Sequence, residues 1–218
     1  MMTTMARVAA RMRDRILSLE WPPGTPLREV ALAEEFGTSR RTVREALMIM
    51  EREGIVVHEP NRGARVRAFT PDEVDDLYRA RTALETFGAH ACTDARRRDL
   101  ERVGAAFDPW KAAAQADPDG IAYALADMRF HAAVVALADS ARLDRMFGEL
   151  AIELTYAIRL LHRLEATHAA LMEASEAEHA AILDAVTRRD PDRAAAAVRA
   201  HAETNRRQLV AAVEAARA

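Results

Sequence analysis

Cysteine is almost absent from this chain. With Cys92 alone, no intramolecular disulfide is possible, and the fold must be held by burial of apolar surface, as suits a reducing compartment. Aromatic residues make up only 5% of the sequence. Alanine is abundant instead, which favours helices that meet through small side chains. No run of about 18 apolar residues is evident, so no membrane span is expected. The first 20 residues carry charges throughout and lack the apolar run of a signal peptide. A soluble intracellular protein is expected, one that binds no membrane. Internal repeats, low-complexity linkers and long loops are missing as well. The motifs of several enzyme classes are also missing: there is no His-Glu-x-x-His, no phosphate-binding loop and no nucleophile elbow. Cys92 itself lies in an apolar helical stretch and reads as packing.

The 218 residues, half of them apolar, suffice for one large or two small domains. Charge is distributed unevenly. Residues 1–69 carry 12 arginines against nine acids, whereas residues 70–218 carry 19 basic residues against 25 acids. A basic small module beside an acidic larger one fits a nucleic-acid reader attached to something that avoids phosphates.

Periodicity divides the chain at the same place. Val8, Met12, Ile16 and Leu19 recur at helical spacing, predicting a helix over residues 6–19. A second short helix is expected with Val30, Ala33 and Phe36 on one face, ended by Gly37. Thr38 and Ser39 offer caps for a third, which would bury Val43, Ala46, Leu47 and Met50. The period then changes. The β-branched run from Ile55, the turn signal Pro60-Asn-Arg-Gly63, and the alternation of Ala64, Val66 and Ala68 with Arg65, Arg67 and Phe69 predict a β-hairpin. From Thr70 onward helical periodicity dominates. Breaks near Cys92-Thr93, Asp117-Pro118, Asp139-Ser140, Ala166-Thr167 and Asp190-Pro191 divide it into about six helices. The expected fold is mainly α: a winged helix-turn-helix over residues 1–69 and an antiparallel all-helical bundle over residues 70–218.

Two short helices around a glycine turn, the second rich in arginine, form a helix-turn-helix pattern. At 100° per residue Arg40, Arg41 and Arg44 lie away from the apolar face, at the helix start where recognition helices meet base edges. Arginine's planar fork can take guanine O6 and N7 together or clamp a phosphate. The hydroxyls of Ser39 and Thr42 can reach phosphate oxygens. Asn61-Arg62-Gly63 would form the tip of the wing and could approach a minor groove. The same arginines would equally suit a solvated face paired with Glu34 and Glu45.

In the helical part, Asp127 and His131 share a helix face at a spacing of four. His179 and His201 lie on later helices. One carboxylate and three imidazoles form a credible set for a borderline divalent ion such as zinc, nickel or manganese, if three helices converge. Hydrogen-bonded pairs and ordinary helix-face histidines would give the same spacing. Two Glu-x-x-His segments, Glu165 to His168 and Glu176 to His179, fit half of a di-iron motif. Both fall in one short region, without the facing helices that such enzymes require.

Two family resemblances sharpen this. The stretches Pro23-Gly24-Thr-Pro-Leu27, Leu32-Ala-Glu-Glu-Phe-Gly37, Ser39-Arg-Arg-Thr-Val-Arg-Glu-Ala-Leu47, Glu53-Gly54 and Pro60-Asn-Arg-Gly63 resemble the winged helix-turn-helix of GntR-family bacterial regulators. Arg41-Thr42 departs from the Thr-Pro that many members carry. The resemblance implies DNA contacts by Arg40, Thr42, Arg44 and Gly63, with Arg41 and Arg62 as additions at phosphates, beside the Ser39 hydroxyl already named. From residue 73 onward, Leu77-Tyr-Arg-Ala-Arg81 with Leu84-Glu85, Asp127-Met-Arg-Phe-His131, Glu178-His179-Ala-Ala-Ile182 and Asp190, Ala194 and His201 resemble the FCD-type ligand domain of the FadR subfamily. Ser140 stands where many members have asparagine. The resemblance implies that Asp127, His131, His179 and His201 bind a divalent metal, zinc first. It also implies that Arg81 faces a carboxylate effector, although an Arg81–Glu85 pair within one helix would explain Arg81 too. Six helices match the shorter, metal-using branch. The expectation is a non-enzymatic homodimeric regulator, a repressor by default, that reads palindromic operator DNA. A metal that is itself the signal is the alternative.

Overall fold

A computed structural model describes residues 3–116, 120–164 and 168–217. The contacts divide the chain into two compact units, Met1–Phe69 and Thr70–Ala218. The first holds helices α1 (Thr4–Leu17), α2 (Glu29–Glu35) and α3 (Arg40–Arg52) and strands β1 (Val56–Glu59) and β2 (Gly63–Val66). The second holds α4 (Pro71–His90), α5 (Arg97–Ala116), α6 (Ile121–Val135), α7 (Ala141–Leu164), α8 (His168–Thr187) and α9 (Pro191–Ala215). The order of helix, helix, helix, hairpin and then six helices is the one the sequence predicts.

In the first unit α1 packs on α3. Val8, Met12 and Ile16 face Val43, Leu47 and Met50, all essentially inaccessible to water. The first helix stops two residues earlier than its periodicity suggests. Leu19 adopts a left-handed conformation (φ 60°) after the cap at Ser18, and Leu17 takes the buried position. Val30 is 60% exposed, against expectation, and α2 buries Leu32 and Ala33 instead. Phe36 is half-buried beneath arginine: the guanidinium of Arg11 lies 4.8 Å from its ring centre and that of Arg15 5.3 Å. The hairpin pairs Val56 with Val66 and Glu59 with Gly63. The chain before α2 adds to its edge: the Gly24 and Leu27 N–H groups donate to the Val66 and Ala64 carbonyls at 2.9 and 2.8 Å. Beyond Val66 the strand ends and the alternation slips. Phe69 is buried and Ala68 exposed, the reverse of a continued strand.

The second unit opens with a reciprocal cap. The Thr70 N–H donates to the Glu73 carboxylate at 2.8 Å, and the Glu73 N–H donates to the Thr70 hydroxyl at 3.3 Å, with Pro71 at the first helical position. Asp190 caps α9 by accepting the Arg193 N–H at 3.1 Å, with Pro191 following. The break at Asp139 is a left-handed residue (φ 47°). The expected breaks at Asp117-Pro118 and Ala166-Thr167 lie outside the described residues. Asp108-Pro109 looks alike in sequence, yet Pro109 sits inside α5. Cys92 is buried in an apolar cluster with Phe130, Val134, Ile182 and Val198. The segment Ile121–Ala138 is, among the described residues, long and apolar enough to cross a membrane, with a mean hydropathy of 1.4. This corrects the expectation that no apolar run of that length is present. The segment carries Asp127 and Arg129, and α6 packs against α4, α5 and α7 in the bundle.

Gly88 brings α4 onto α6. A Cβ built there would stand 2.5 Å from the Val134 carbonyl oxygen and 2.6 Å from Val135 Cα, both backbone atoms that cannot swing aside. We predict that Gly88→Ala destabilises the helical unit by roughly 1–3 kcal/mol, the usual cost of overpacking. Thermal melting will check it. A variant as stable as the parent would mean that α4 and α6 are not this close.

Candidate functional site

The first candidate surface lies at the start of α3. Ser39 caps the helix, accepting the Thr42 N–H at 3.1 Å, and the two hydroxyls sit 2.9 Å apart. The caps spend part of the hydroxyl capacity expected for phosphate. Arg41 is 88% exposed and pairs with Glu45 at 2.9 Å. Arg44 is 57% exposed and makes a two-pronged contact with Glu29 of α2, Nε to Oε1 and Nη2 to Oε2, each 2.8 Å. Arg40 Nη2 lies 3.8 Å from the same carboxylate. The Arg44 hydrogen bond is the main force holding the Glu29 carboxyl below its ordinary range. Glu29, not among the residues expected from sequence, thus occupies the Arg44 fork.

The wing tip is a tight turn. The Arg62 N–H donates to the Glu59 carbonyl at 3.1 Å, with Pro60 second and Asn61 third at φ 62°. Gly63 follows at φ 78° with open space around it. Arg62 is exposed, 3.6 Å from Glu59. His58 lies 3.1 Å from Glu51 on the first wing strand. One groove is lined by Glu29, Arg40, His58, Arg62, Gly63 and Arg65, so the helix start and the wing tip share one concave surface.

The second candidate site is buried in the helical unit. His131 comes from α6, His179 from α8 and His201 from α9, and one ring nitrogen from each lies within 4.8 Å of the others. All three rings are essentially inaccessible to water, as is the Asp127 carboxyl. The outer nitrogens are taken. His179 Nδ1–H donates to the Ser175 carbonyl at 2.8 Å. His201 Nδ1–H donates to Glu178 Oε2 at 2.8 Å. His131 Nδ1 lies 2.8 Å from Glu85 Oε2, close in distance though bent from the N–H direction. These partners select one tautomer and turn each Nε2 inward, as the outer partners of metal-binding histidines do.

Asp127 completes the set. Its Oδ1 accepts from Trp110 Nε1–H at 3.0 Å and stands 2.9 Å from His179 Nε2, while Oδ2 is 3.7 Å from His131 Nε2. Trp110 stacks on the His179 ring, with centres 4.1 Å apart. Two inward atoms, His179 Nε2 and Asp127 Oδ2, are buried without a hydrogen-bond partner. Such atoms are costly unless something else meets them. Burial pushes His131 below its ordinary pKa, with Arg81 adding to the effect and Glu85 opposing it. Burial pushes His201 further down, helped by the neighbouring His179 and His131. Burial alone would raise Asp127, but His131, His179 and Arg81 hold it well below the usual carboxylate range. Burial thus favours the neutral form of His131 and His201 beside an ionised Asp127, the protonation states a metal requires of its ligands. Around the rings lie the carboxylates of Glu85, Asp127 and the quarter-exposed Glu178, whose pKa burial raises, against the single guanidinium of Arg81. A divalent cation suits those surroundings, and the donor set fits one.

Arg81 is 0% exposed. Its Nε–H donates to Glu85 Oε1 at 2.7 Å and its Nη2–H to His131 Nε2 at 2.8 Å. Beside Asp127 lies a cavity of ≈ 20 Å³ whose lining includes Tyr123, His162, Ser175, Asn205 and Gln208. His162, for which the sequence offered no partner, packs on Tyr123 with ring centres 4.9 Å apart. Of the two Glu-x-x-His segments, the side chains of the first lie outside the described residues. In the second, Glu176 turns away to Lys111 at 2.5 Å. Glu85, Trp110, Ser175 and Glu178 were not assigned as supports by sequence. Only Ser175, four residues before His179, carries a local signal of its role.

A helix-turn-helix with a β-hairpin wing, followed by a helical bundle around a buried polar centre, defines a DNA-binding regulator with a ligand domain. Residues 4–66 match the bacterial regulatory proteins of the gntR family, and residues 76–204 match the FCD domain. The chain belongs to the GntR family and carries an FCD domain. Over 91% of its length it is 29% identical to a probable D-xylose utilization operon transcriptional repressor from Paenarthrobacter nicotinovorans, covering 87% of that protein. Over 39% of its length it is 42% identical to the gluconate operon transcriptional repressor of Bacillus licheniformis, covering 35% of that protein. Among solved structures it resembles a putative transcriptional regulator GntR from Rhodococcus sp. RHA1, at 26% identity and a TM-score of 0.79 over 95% of this chain and 97% of that one. The family and these relatives are regulators and not enzymes.

The Glu29 fork yields a prediction. In Glu29→Ala, Arg40 and Arg44 lose their shared carboxylate and a negative charge leaves the surface. Binding to random duplex DNA should tighten severalfold while the preference for a selected operator shrinks. Fluorescence anisotropy at matched salt will measure both. An unchanged ratio of specific to random affinity would remove Glu29 from the reading surface.

Proposed function

We propose that this regulator is a cytoplasmic, homodimeric repressor whose operator affinity is set by a small carboxylate bound beside a divalent metal, zinc first and nickel or manganese next. Asp127, His131, His179 and His201 would hold the metal. Bound there, it would supply a Lewis-acidic anchor for a carboxylate. The observation that carries the reading is that Nδ1 of each histidine faces an outer oxygen, which turns the three Nε2 atoms inward beside an ionised carboxylate; His179 Nε2 has no hydrogen-bond partner there, while Arg81 meets His131 Nε2 at 2.8 Å and Asn205 meets His201 Nε2 at 3.2 Å. Arg81 would face the effector. Ser39, Arg40, Arg41, Thr42 and Arg44 on α3, with Arg62 and Gly63 on the wing, would contact DNA. The repressor sense follows the relatives named for repressing sugar-acid and sugar operons, and twofold symmetry suits paired half-sites.

One observation favours a second reading, in which the metal alone is the signal. The cavity beside Asp127, at ≈ 20 Å³, has room for about one water molecule. An organic acid would have to open it.

Melting of zinc-free and zinc-loaded protein against small carboxylic acids separates the two, because a ligand of the folded state raises the melting temperature. We expect zinc to stabilise the protein, by about 2.7 kcal/mol at a hundred times its Kd, and one acid to add a further shift only when zinc is present. A zinc shift that no acid extends would favour the metal as signal. No zinc shift at all, or full zinc occupancy in His179→Ala, would overturn the assignment. On the DNA side, Arg44→Ala should weaken operator binding by at least about tenfold if its fork reads a base. Equal affinity at matched salt would end that role.

A further inference from the structure

We propose that Arg81 is a displaceable internal cation that competes with the metal for His131 and so makes the buried centre accept its two ligands in order. The proposal rests on the metal reading above and concerns how that site is regulated. A neutral imidazole has one acceptor nitrogen. At His131 that nitrogen is Nε2, because Nδ1 faces the Glu85 carboxylate. In this structure Arg81 Nη2–H fills it at 2.8 Å. The same lone pair cannot serve a guanidinium hydrogen and a metal together.

The guanidinium is also built to let go. Its Nε–H is anchored separately to Glu85 at 2.7 Å, so it can turn off His131 without losing its counter-ion. Its Nη1 is buried with no hydrogen-bond partner, an unused donor in a dry place. The face of Tyr78, with its ring centre 5.5 Å from the guanidinium carbon, flanks it. Released from His131, Arg81 would hold two free amino groups while still tied at Nε. Such a fork suits a planar carboxylate. Before release, one hydrogen of Nη2 is committed to His131 and holds the fork against that ring. Metal loading therefore precedes and enables the carboxylate, and the affinity of the centre for metal is kept below what its four ligands would give alone.

The test is zinc affinity of the full chain, measured by competition with a chromophoric chelator. Arg81→Met and Arg81→Gln remove the competing cation, and glutamine can still donate to Glu85. Each folded variant, verified by its melting transition without zinc, should bind zinc at least about tenfold more tightly than wild type. Zinc binding no tighter than wild type in the folded variants would overturn the proposal. Should both variants fail to fold, the wild-type protein decides. The slowly exchanging ¹⁵N side-chain signals of the buried arginine should shift on zinc addition, and signals that stay in place with zinc bound would overturn the proposal. Wild-type protein that takes up no zinc fails differently: it removes the metal reading itself, and the ordering with it.

Discussion

Imidazoles buried together stay neutral and aligned only when something takes the second nitrogen of each ring, and the interior of this bundle is arranged around that requirement. Glu85 on α4, Ser175 and Glu178 on α8, and Trp110 on α5 occupy the positions from which the centre must be supported. Replacing Glu178 or Trp110 by an apolar residue would leave a buried ring nitrogen or carboxylate oxygen unmet, a cost of about 1–3 kcal/mol apiece, whereas at Ser175 the acceptor is the backbone carbonyl, which any residue supplies. The remaining faces of these helices are alanine, valine, leucine and phenylalanine. They pack closely enough to bring five helices to one point. The polar centre and the Gly88 contact are thus the least replaceable parts of this core.

The DNA-facing unit solves a related problem on the surface. Several guanidinium groups within a few residues repel one another, and Glu29, Glu45 and Glu59 intersperse carboxylates among them. These pairs are exposed and contribute little to stability. Their effect is on orientation and on the net field met by an approaching phosphate. An arginine already forked to a carboxylate is presented in the planar, two-pronged geometry that a guanine edge demands, at the cost of exchanging one partner for another.

What could be read from sequence follows from the range over which each signal acts. The apolar face of α3, Val43 to Met50, was plain because burial on a helix repeats every three or four residues. The turn at Pro60 to Gly63 was plain because the chemistry of those residues specifies the backbone. Val30 misled because a seven-residue helix has too few positions to distinguish one apolar face from another. The four candidate ligands could be named because one pair lies at i, i+4 and because they fit a family pattern. Their supports could not, since Glu85 meets His131 across 46 residues of chain and Glu178 meets His201 across 23. Glu29 escaped for the same reason: its partner Arg44 lies on another helix.

The position of Arg81 on α4 shows how a small change at the centre can be felt beyond it. Arg81, Glu85 and Gly88 fall at spacings of four and three along the buried face of α4. At Gly88 the helix rests on the backbone of α6, a contact with no side chain to yield. At Arg81 it is held by polar contacts that can be exchanged. The first turns of α4 are held too, by the buried Val74, Leu77 and Tyr78, by packing on α9 and by the Asp75–Arg206 ion pair at 2.5 Å. The helix begins at Pro71, two residues after the first unit ends at Phe69. A tenfold change in DNA affinity needs only about 1.4 kcal/mol of differential binding. That is less than a single charge-assisted hydrogen bond such as Arg81 to His131 can contribute in a dry interior. A single exchange of partner at Arg81 is therefore enough energetically, provided its two arrangements favour the DNA-bound and DNA-free states unequally.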